Sequence, residues 1–533
     1  MWQAGGVAVA ARVEHVGSLL RPRFLHDARA GLAVGELTPA RFKAEEDRAV
    51  REVVALQEVR GGVVLLVDGA SFVLPMSLAR IAEVAGGRLH RVPEPGAVVA
   101  GPVIVDSRRA GPGCLFAAFV GERTDGHEFA ADAVALGAVG VLASRPVEAP
   151  AVVVADVRAA LGALAAWTVR TVTGTTRVGV TGSSGKTSTK DLLGQVLSRL
   201  GRTVTTMGSQ NNEIGVPLTV LGAAPGTEYL VLEMGARGVG HLAYLTGLVP
   251  LDVALVLNVG AAHAGEFGSR EATAQAKGEL VEALGLDGAA VLNADDALVA
   301  GMSARTKAPV TYFGRSATAD VRAVDVRLDE QGRPGFQLVT PAGRAPVQLR
   351  LLGEHQVSNS LAAAAAAHTL GMTAEQIADA LSAAVATSGS RMQRHERPDG
   401  VTVVDDAYNA NPDSVAAALR ALAAMGAGRR TVAVIGEMRE LGAQSAAQHR
   451  AVGDLAAGLG VDVVIGVGGE EAAQVVAGAT AKEATAHLTA DPTTAVGLLD
   501  GLLVPGDLVL VKASQSAGLQ ALVRDLLARV PSQ

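Results

Sequence analysis

The stretch RVGVTGSSGKTSTKDLL, residues 177–193, carries the residue types that a nucleotide's phosphate chain needs. An apolar run ends at Thr181, and Gly182, Ser183, Ser184 and Gly185 form a turn before Lys186, Thr187 and Ser188. The glycines permit positive φ and close backbone approach, so amides of the turn and of the next helix can cradle phosphates. Lys186 offers a cation to the β- and γ-oxygens, and Thr187 offers a hydroxyl to Mg²⁺. The strict GxxxxGK[ST] pattern is not met, because Val180 fills its first glycine position. An ordinary turn of small residues is the plain alternative. The order strand, turn, Lys-Thr and amphipathic helix favours phosphate, and residues Thr181 to Ser188 are expected to hold ATP. GVGGE at 466–470 lacks a Lys-Ser/Thr pair and reads as a tight βα turn.

Such a loop needs a frame. The helix TSTKDLLGQVLSRLG places Leu192, Leu193, Val196, Leu197 and Leu200 on one face and is expected to stop at Gly201. YLVLEMG, VALVLNVG and AAVLNADD read as further strands, 308–352 as a more β-rich stretch, and an Ala-rich helix follows from about Ser358. Upstream, VIVDSRR, LFAAFV, VGVLAS and VVVADV alternate with helices in a small α/β unit. From about Ser390, VTVVDDA, RTVAVIGE, VDVVIGVG and DLVLVKAS repeat the rhythm in a doubly wound pattern. The fold class is therefore α/β, with domains over 74–172, 173–389 and 390–533 behind a helical appendage at 1–73.

Composition fits this division. A length of 533 residues predicts three to four domains, and 49% hydrophobic with 19% charged residues is core-forming. Lys and Arg number 46 against 53 Asp and Glu, a net charge of −7, so no basic excess exists for a dedicated nucleic-acid binder. Cys114 is the one cysteine, which excludes a disulfide framework and a multi-cysteine zinc site. No apolar run is long enough for membrane insertion, and the start MWQAGGVAVAAR lacks a positive n-region, so the cytoplasm is expected.

TGSSGKTSTK also resembles the ATP loop of the Mur ligases, the amide-forming enzymes of peptidoglycan precursor synthesis. NNEIGVPLTVL at 211–221, EMGARGVGHL at 233–242, NVGAAHAGEFGS at 258–269 and DAYNANPDSV at 406–415 resemble the MurF branch. DSRRAGPGCLFAAFVGERTDGHEFAADAV at 106–134 is similar to that branch's UDP-binding domain, where Ser107 and Arg108 would meet substrate. The match runs from about Met76 to the C-terminus in the family's order. It implies a central P-loop ATPase domain and a Rossmann-like C-terminal domain. The implied reaction adds D-alanyl-D-alanine to UDP-N-acetylmuramoyl-tripeptide through an acyl phosphate, using ATP and Mg²⁺, in a monomer.

The resemblance also implies roles. Lys186, Glu233, His263 and Lys277 would be catalytic, and Thr187, Glu233, His263 and a carbamylated Lys277 would hold metal. Glu233 ends the strand YLVLE beside the phosphate loop, and His263 follows VALVLNVG in the same topological position. Asn359 would face adenine, with Gln356 standing where the wider family often has Asn. Arg391 would reach an ATP phosphate on closure, and Asp406 would reach ribose. Asn211, Asn212, Asn409, Asn411, Lys512 and Ser514 would bind substrate. In KASQSAGL at 512–519, Gln515 replaces the branch's usual arginine and removes a guanidinium from the acceptor side.

The front of the chain reads differently. HVGSLLRPRFLHDARAGLAVGELTPARFKAEEDRAVREVVALQE resembles the start of cobalamin-independent methionine synthase. That resemblance lapses near Arg60, without the barrel or the zinc ligands, so His15, Ser18 and Arg21 are expected to have no function and the segment to pack poorly. Two other readings stay open: a related amino-acid ligase of the Mur or folylpolyglutamate type, and an inactive nucleotide-binding scaffold.

Overall fold

The computed structural model describes residues 74–121, 124–260 and 269–529. The 1–73 segment, with its methionine synthase resemblance, and His263 lie outside the described residues.

Seven short strands come first among the described residues: β1 (Met76–Ser77), β2 (Arg88–His90), β3 (Val98–Val99), β4 (Val103–Ile104), β5 (Leu115–Ala117), β6 (Gly140–Ala143) and β7 (Ala151–Val153). Strands β2-β7-β6-β5-β4 form one sheet in that order, and β1 pairs with β3. The helix Leu78–Ala85 closes on Gly86 in the left-handed conformation, φ 65°. In VIVDSRR only Val103–Ile104 is strand, because Asp106 caps a 3₁₀ turn over Ser107–Arg109.

Nine strands follow: β8 (Thr176–Thr181), β9 (Thr203–Thr205), β10 (Tyr229–Glu233), β11 (Val253–Val256), β12 (Ala289–Asn293), β13 (Val310–Gly314), β14 (Val321–Leu328), β15 (Pro334–Thr340) and β16 (Gly343–Gln348). Their order is β16-β15-β14-β13-β12-β11-β8-β10-β9. The β-rich stretch is thus an antiparallel extension of the parallel sheet, not a separate layer. Strand β8 lies between β10 and β11, parallel to both. The carboxyl ends of these three strands therefore meet at a switch in strand order, where α/β sheets bind ligands. Their side chains are buried on both faces, as a central parallel strand requires.

Two helices pack near that switch. The phosphate-loop helix is Lys186–Leu197, and Leu192, Leu193, Val196 and Leu197 are buried as expected. Leu200 is 37% exposed, because the helix ends before it and the chain turns through Ser198–Gly201. The Ala-rich hinge helix runs His355–Thr369, three residues earlier than its sequence pattern suggests, and Ala362–Ala367 are fully buried.

The last six strands are β17 (Gln393–Glu396), β18 (Thr402–Asp406), β19 (Thr431–Gly436), β20 (Val463–Val467), β21 (Thr485–Thr489) and β22 (Leu508–Lys512), in the order β17-β18-β22-β19-β20-β21. All pair in parallel except β17. No helix among the described residues is long and apolar enough to cross a membrane.

Candidate active site

The phosphate loop leaves strand β8 at Thr181. Gly182 passes so close to Leu257 that a Cβ would lie 2.8 Å from Leu257 Cβ. Gly185 has φ 78°, and a Cβ there would lie 2.4 Å from Asn359 Oδ1, so both steric freedom and space demand glycine. The helix that begins at Lys186 has no side-chain cap, which leaves its N-terminal amides for a ligand. Lys186 Nζ donates to the Gly182 carbonyl at 2.7 Å. Burial holds the Lys186 pKa below its ordinary value, with Glu233 acting in the opposite sense. Thr181 Oγ1 is buried without a hydrogen-bond partner.

Glu233 is not a surface cap: it is 1% exposed at the end of β10. Its Oε2 accepts from Thr187 Oγ1 at 2.8 Å and its Oε1 from Asn211 Nδ2 at 2.7 Å. Its amide donates to Thr206 Oγ1 at 3.0 Å. Lys277, on the helix Arg270–Glu282, is also 1% exposed rather than a surface lysine. Burial, helped by the Lys186 charge, drives its pKa well below the usual lysine range. Thr187 and Glu233 supply hard oxygen donors of the kind Mg²⁺ prefers. Among the described residues, no group of three His, Cys, Asp or Glu side chains could hold a metal. A metal set here therefore has to draw on the Thr187 hydroxyl and on groups outside that class or outside the described residues.

Two polar residues here were not anticipated, Asn258, which is half-buried, and Lys190, which is buried. Asn258, just past β11, bonds to the Ser183 and Ser184 amides. Lys190, one turn into the phosphate-loop helix, pairs with Asp191 and donates to the Thr206 carbonyl at 2.7 Å. In sequence Lys190 looks like any helix-surface lysine, and no local signal marks its burial.

Several expected ligand residues have their side chains engaged within the protein. Asn212 Oδ1 accepts from the Ile214 and Gly215 amides, starting the helix Gly215–Leu221. Asn411 Oδ1 accepts from the Ser414 amide in a capping box that opens the helix Pro412–Met425. Lys512 is buried, 2.5 Å from Asp406 and 2.9 Å from the Asn409 carbonyl. Asp406, the expected ribose contact, is paired with Lys512, and burial raises its pKa against the pull of that lysine. Ser514 Oγ accepts from the Arg439 amide at 3.0 Å. Arg108 is 87% exposed and forks onto its own cap, Asp106, at 2.9 and 2.7 Å. Ser107 opens that turn, and Asn409 and Gln515 are exposed.

The hinge brings nucleotide-side groups together. Asn359 Nδ2 donates to Gln356 Oε1 at 2.9 Å, so the longer amide at 356 completes a pair beside Gly185. The Arg391 guanidinium stacks 4.4 Å from the Tyr408 ring centre, with Nε buried and without a hydrogen-bond partner. Ser390 and Met392 flank it at φ 54° and 52°, a strained pair for non-glycine residues.

Comparison with known proteins fits this geometry. The Mur ligase catalytic-domain model matches residues 103–175, the Mur ligase middle-domain model 180–367, and the Mur ligase glutamate-ligase domain model 390–515. A UDP-N-acetylmuramoyl-tripeptide–D-alanyl-D-alanine ligase of Mycobacterium tuberculosis (strain ATCC 25618 / H37Rv) is 47% identical over 85% of this chain and 98% of its own length. The chain belongs to the Mur ligases, in the MurF branch. The crystal structure of MurF from Acinetobacter baumannii superposes on this Mur ligase with a TM-score of 0.76 at 33% identity, over 86% of this chain and 100% of that one. MurF from Thermotoga maritima, solved in complex with ADP, has a TM-score of 0.68 at 30% identity, over 80% and 96%. The three matched segments of this Mur ligase begin at residue 103, and they lend no support to the methionine synthase resemblance of its first sixty residues.

Proposed function

We propose that this Mur ligase joins D-alanyl-D-alanine to UDP-N-acetylmuramoyl-tripeptide at the expense of ATP, as a cytoplasmic monomer in peptidoglycan synthesis. The observation that carries the reading is the buried Thr187–Glu233 pair, bonded to Asn211 and beside Lys186, at the switch point of the central sheet. The domains divide at about 172 and 389, with the UDP substrate on the first, ATP on the second, and the acceptor approached from the third.

The γ-phosphoryl group passes to the tripeptide carboxylate, giving an acyl phosphate and ADP. The acceptor amine then attacks the acyl carbon, phosphate leaves with the bonding pair, and the amine gives up a proton. Lys186 and the amides that open its helix hold the β- and γ-phosphates and offset charge that builds during transfer. Thr187 and Glu233, with His263 and Lys277, are the residues that would hold Mg²⁺, which when bound neutralises phosphate charge. Lys277 suits that role as a carbamate: burial and the Lys186 charge favour its uncharged amine, the form that adds CO₂ with loss of a proton, and the product is an anion. Arg391 moves from its stack on Tyr408 to the phosphates when the domains close. Asn359 and Gln356 face the base.

The test is direct. The full chain with ATP, Mg²⁺, UDP-N-acetylmuramoyl-tripeptide and D-alanyl-D-alanine should release phosphate only when all four are present. Folded protein that stays silent with the full set overturns the reading, and turnover with a single amino acid or glutamate in place of the dipeptide favours a related ligase.

A further inference from the structure

A phosphate loop binds through amides that point at the ligand, so an amide bonded within the protein is lost to it. The Ser183 and Ser184 amides are bonded in this way. Both donate to Asn258 Oδ1, at 3.0 and 2.9 Å, and Asn258 Nδ2 donates back to the Ser184 carbonyl at 3.2 Å. The Asn258 carbonyl also takes the Ser183 amide at 3.1 Å, and Ser183 Oγ accepts from the Gly260 amide at 3.0 Å. Asn258 is itself held from both sides. Asn293 Nδ2 donates to the Leu257 carbonyl at 2.8 Å, and the Val259 amide donates to Asp296 Oδ2 at 2.8 Å.

We propose that Asn258 is a positioning residue for phosphoryl transfer, which withdraws the Ser183 and Ser184 amides from the phosphate cradle and confines that cradle to Gly185–Ser188. The inference rests on the ATP-dependent ligase reading and narrows it: Ser183 and Ser184, expected from sequence to hold ATP, hold the loop instead. The same bonds keep Gly185 in its left-handed turn, so that the helix N-terminus is aimed before nucleotide arrives. They also tie the phosphate loop to residues 258–260, the chain that leads to His263.

Amide hydrogen exchange resolved to single residues reads this on the intact chain. Without nucleotide, the Ser183 and Ser184 amides should exchange at least about tenfold more slowly than those of Gly185–Ser188. A non-hydrolysable ATP analogue with Mg²⁺ should slow 185–188 and leave 183 and 184 unchanged. Fast exchange at 183 and 184 that slows with nucleotide overturns the proposal. In kinetics, Asn258→Ala should lower kcat/KM for ATP about 10- to 100-fold while KM for the UDP substrate stays within about twofold. Asn258→Asp keeps the acceptor oxygen but sets a negative charge near the phosphates, so it should restore kcat at a raised KM for ATP; if Asn258→Ala does not fold, this variant and the exchange data decide. An Asn258→Ala enzyme with wild-type constants removes this inference alone, whereas a wild-type enzyme silent in the four-component assay removes the ligase reading.

Discussion

Glu233 shows how much can rest on one carboxylate. It accepts from Thr187 with one oxygen and from Asn211 with the other, and is itself 1% exposed. Glu233→Gln can still accept from Asn211 and can donate to Thr187, whose hydroxyl rotates to accept, but it removes the charge a cation needs. Phosphate release should fall on the order of 100-fold or more, with the Mg²⁺ requirement shifted upward and the unfolding midpoint nearly unchanged. Steady-state rates across a Mg²⁺ series check this. His355 makes a different prediction at the same scale. Burial, reinforced by the Lys512 charge, lowers its pKa to about 4, and its Nδ1 has no hydrogen-bond partner. The unfolded imidazole titrates near 6.5, so the unfolded chain takes up a proton that the folded chain refuses as pH falls from 6.5 toward 4. Stability from the neutral imidazole is full above about pH 6.5 and is lost progressively below it, by about 2 kcal/mol at pH 5. His355→Gln should remove that component, so its unfolding midpoint should drop less than the wild type's between pH 7 and pH 5.

The contacts between elements explain which parts of the site were legible in the sequence. The phosphate loop was, because glycine, lysine and threonine do their work within eight consecutive residues. Asn258 was not, because its contact with Ser183 depends on β8 lying beside β11, an order that the residues do not spell out. Lys190 was missed for the same reason: the Thr206 carbonyl it meets follows the edge strand β9. Asn212 and Asn411 were read toward substrate, yet an Asn just before a helix serves equally well as its cap. The three-sheet α/β architecture was legible from the βα rhythm, whereas the antiparallel edge strand β17 and strand β21 were not, since half-exposed polar runs such as QRHE and TAHLT carry little apolar signal. The Gly185 turn tests the fit between phosphate loop and hinge helix. Gly185→Ala adds about 1–2 kcal/mol of left-handed strain. It also pushes on Asn359 Oδ1, which accepts from Thr189 Oγ1 while Asn359 Nδ2 holds Gln356. KM for ATP should rise at least about tenfold, and adenine discrimination against guanine should weaken, because both amides must move. Nucleotide competition assays measure that loss.

At the scale of the molecule, the chemistry lies behind the first sixty-odd residues. The chain divides into two units, Met1–Val64 and Leu65–Gln533. All three large sheets, all matched family segments and every proposed ligand fall in the second. The length of 533 residues suggested room for a fourth functional unit, and nothing in the Mur reaction calls for one. The proposed ATP-side groups come from the central sheet and from the strands after Ser390, and on that proposal turnover requires those parts to close on each other. A chain beginning at Leu65 should therefore keep kcat and both substrate KM values within about twofold, the scatter that a distant, uncoupled change produces. Its unfolding midpoint should match the main transition of the full chain. A loss of kcat well beyond that range, with UDP-substrate binding intact, would place the front segment in the catalytic cycle and not merely ahead of it. A parallel rise in KM for the UDP substrate would instead give the front segment a part in binding that substrate.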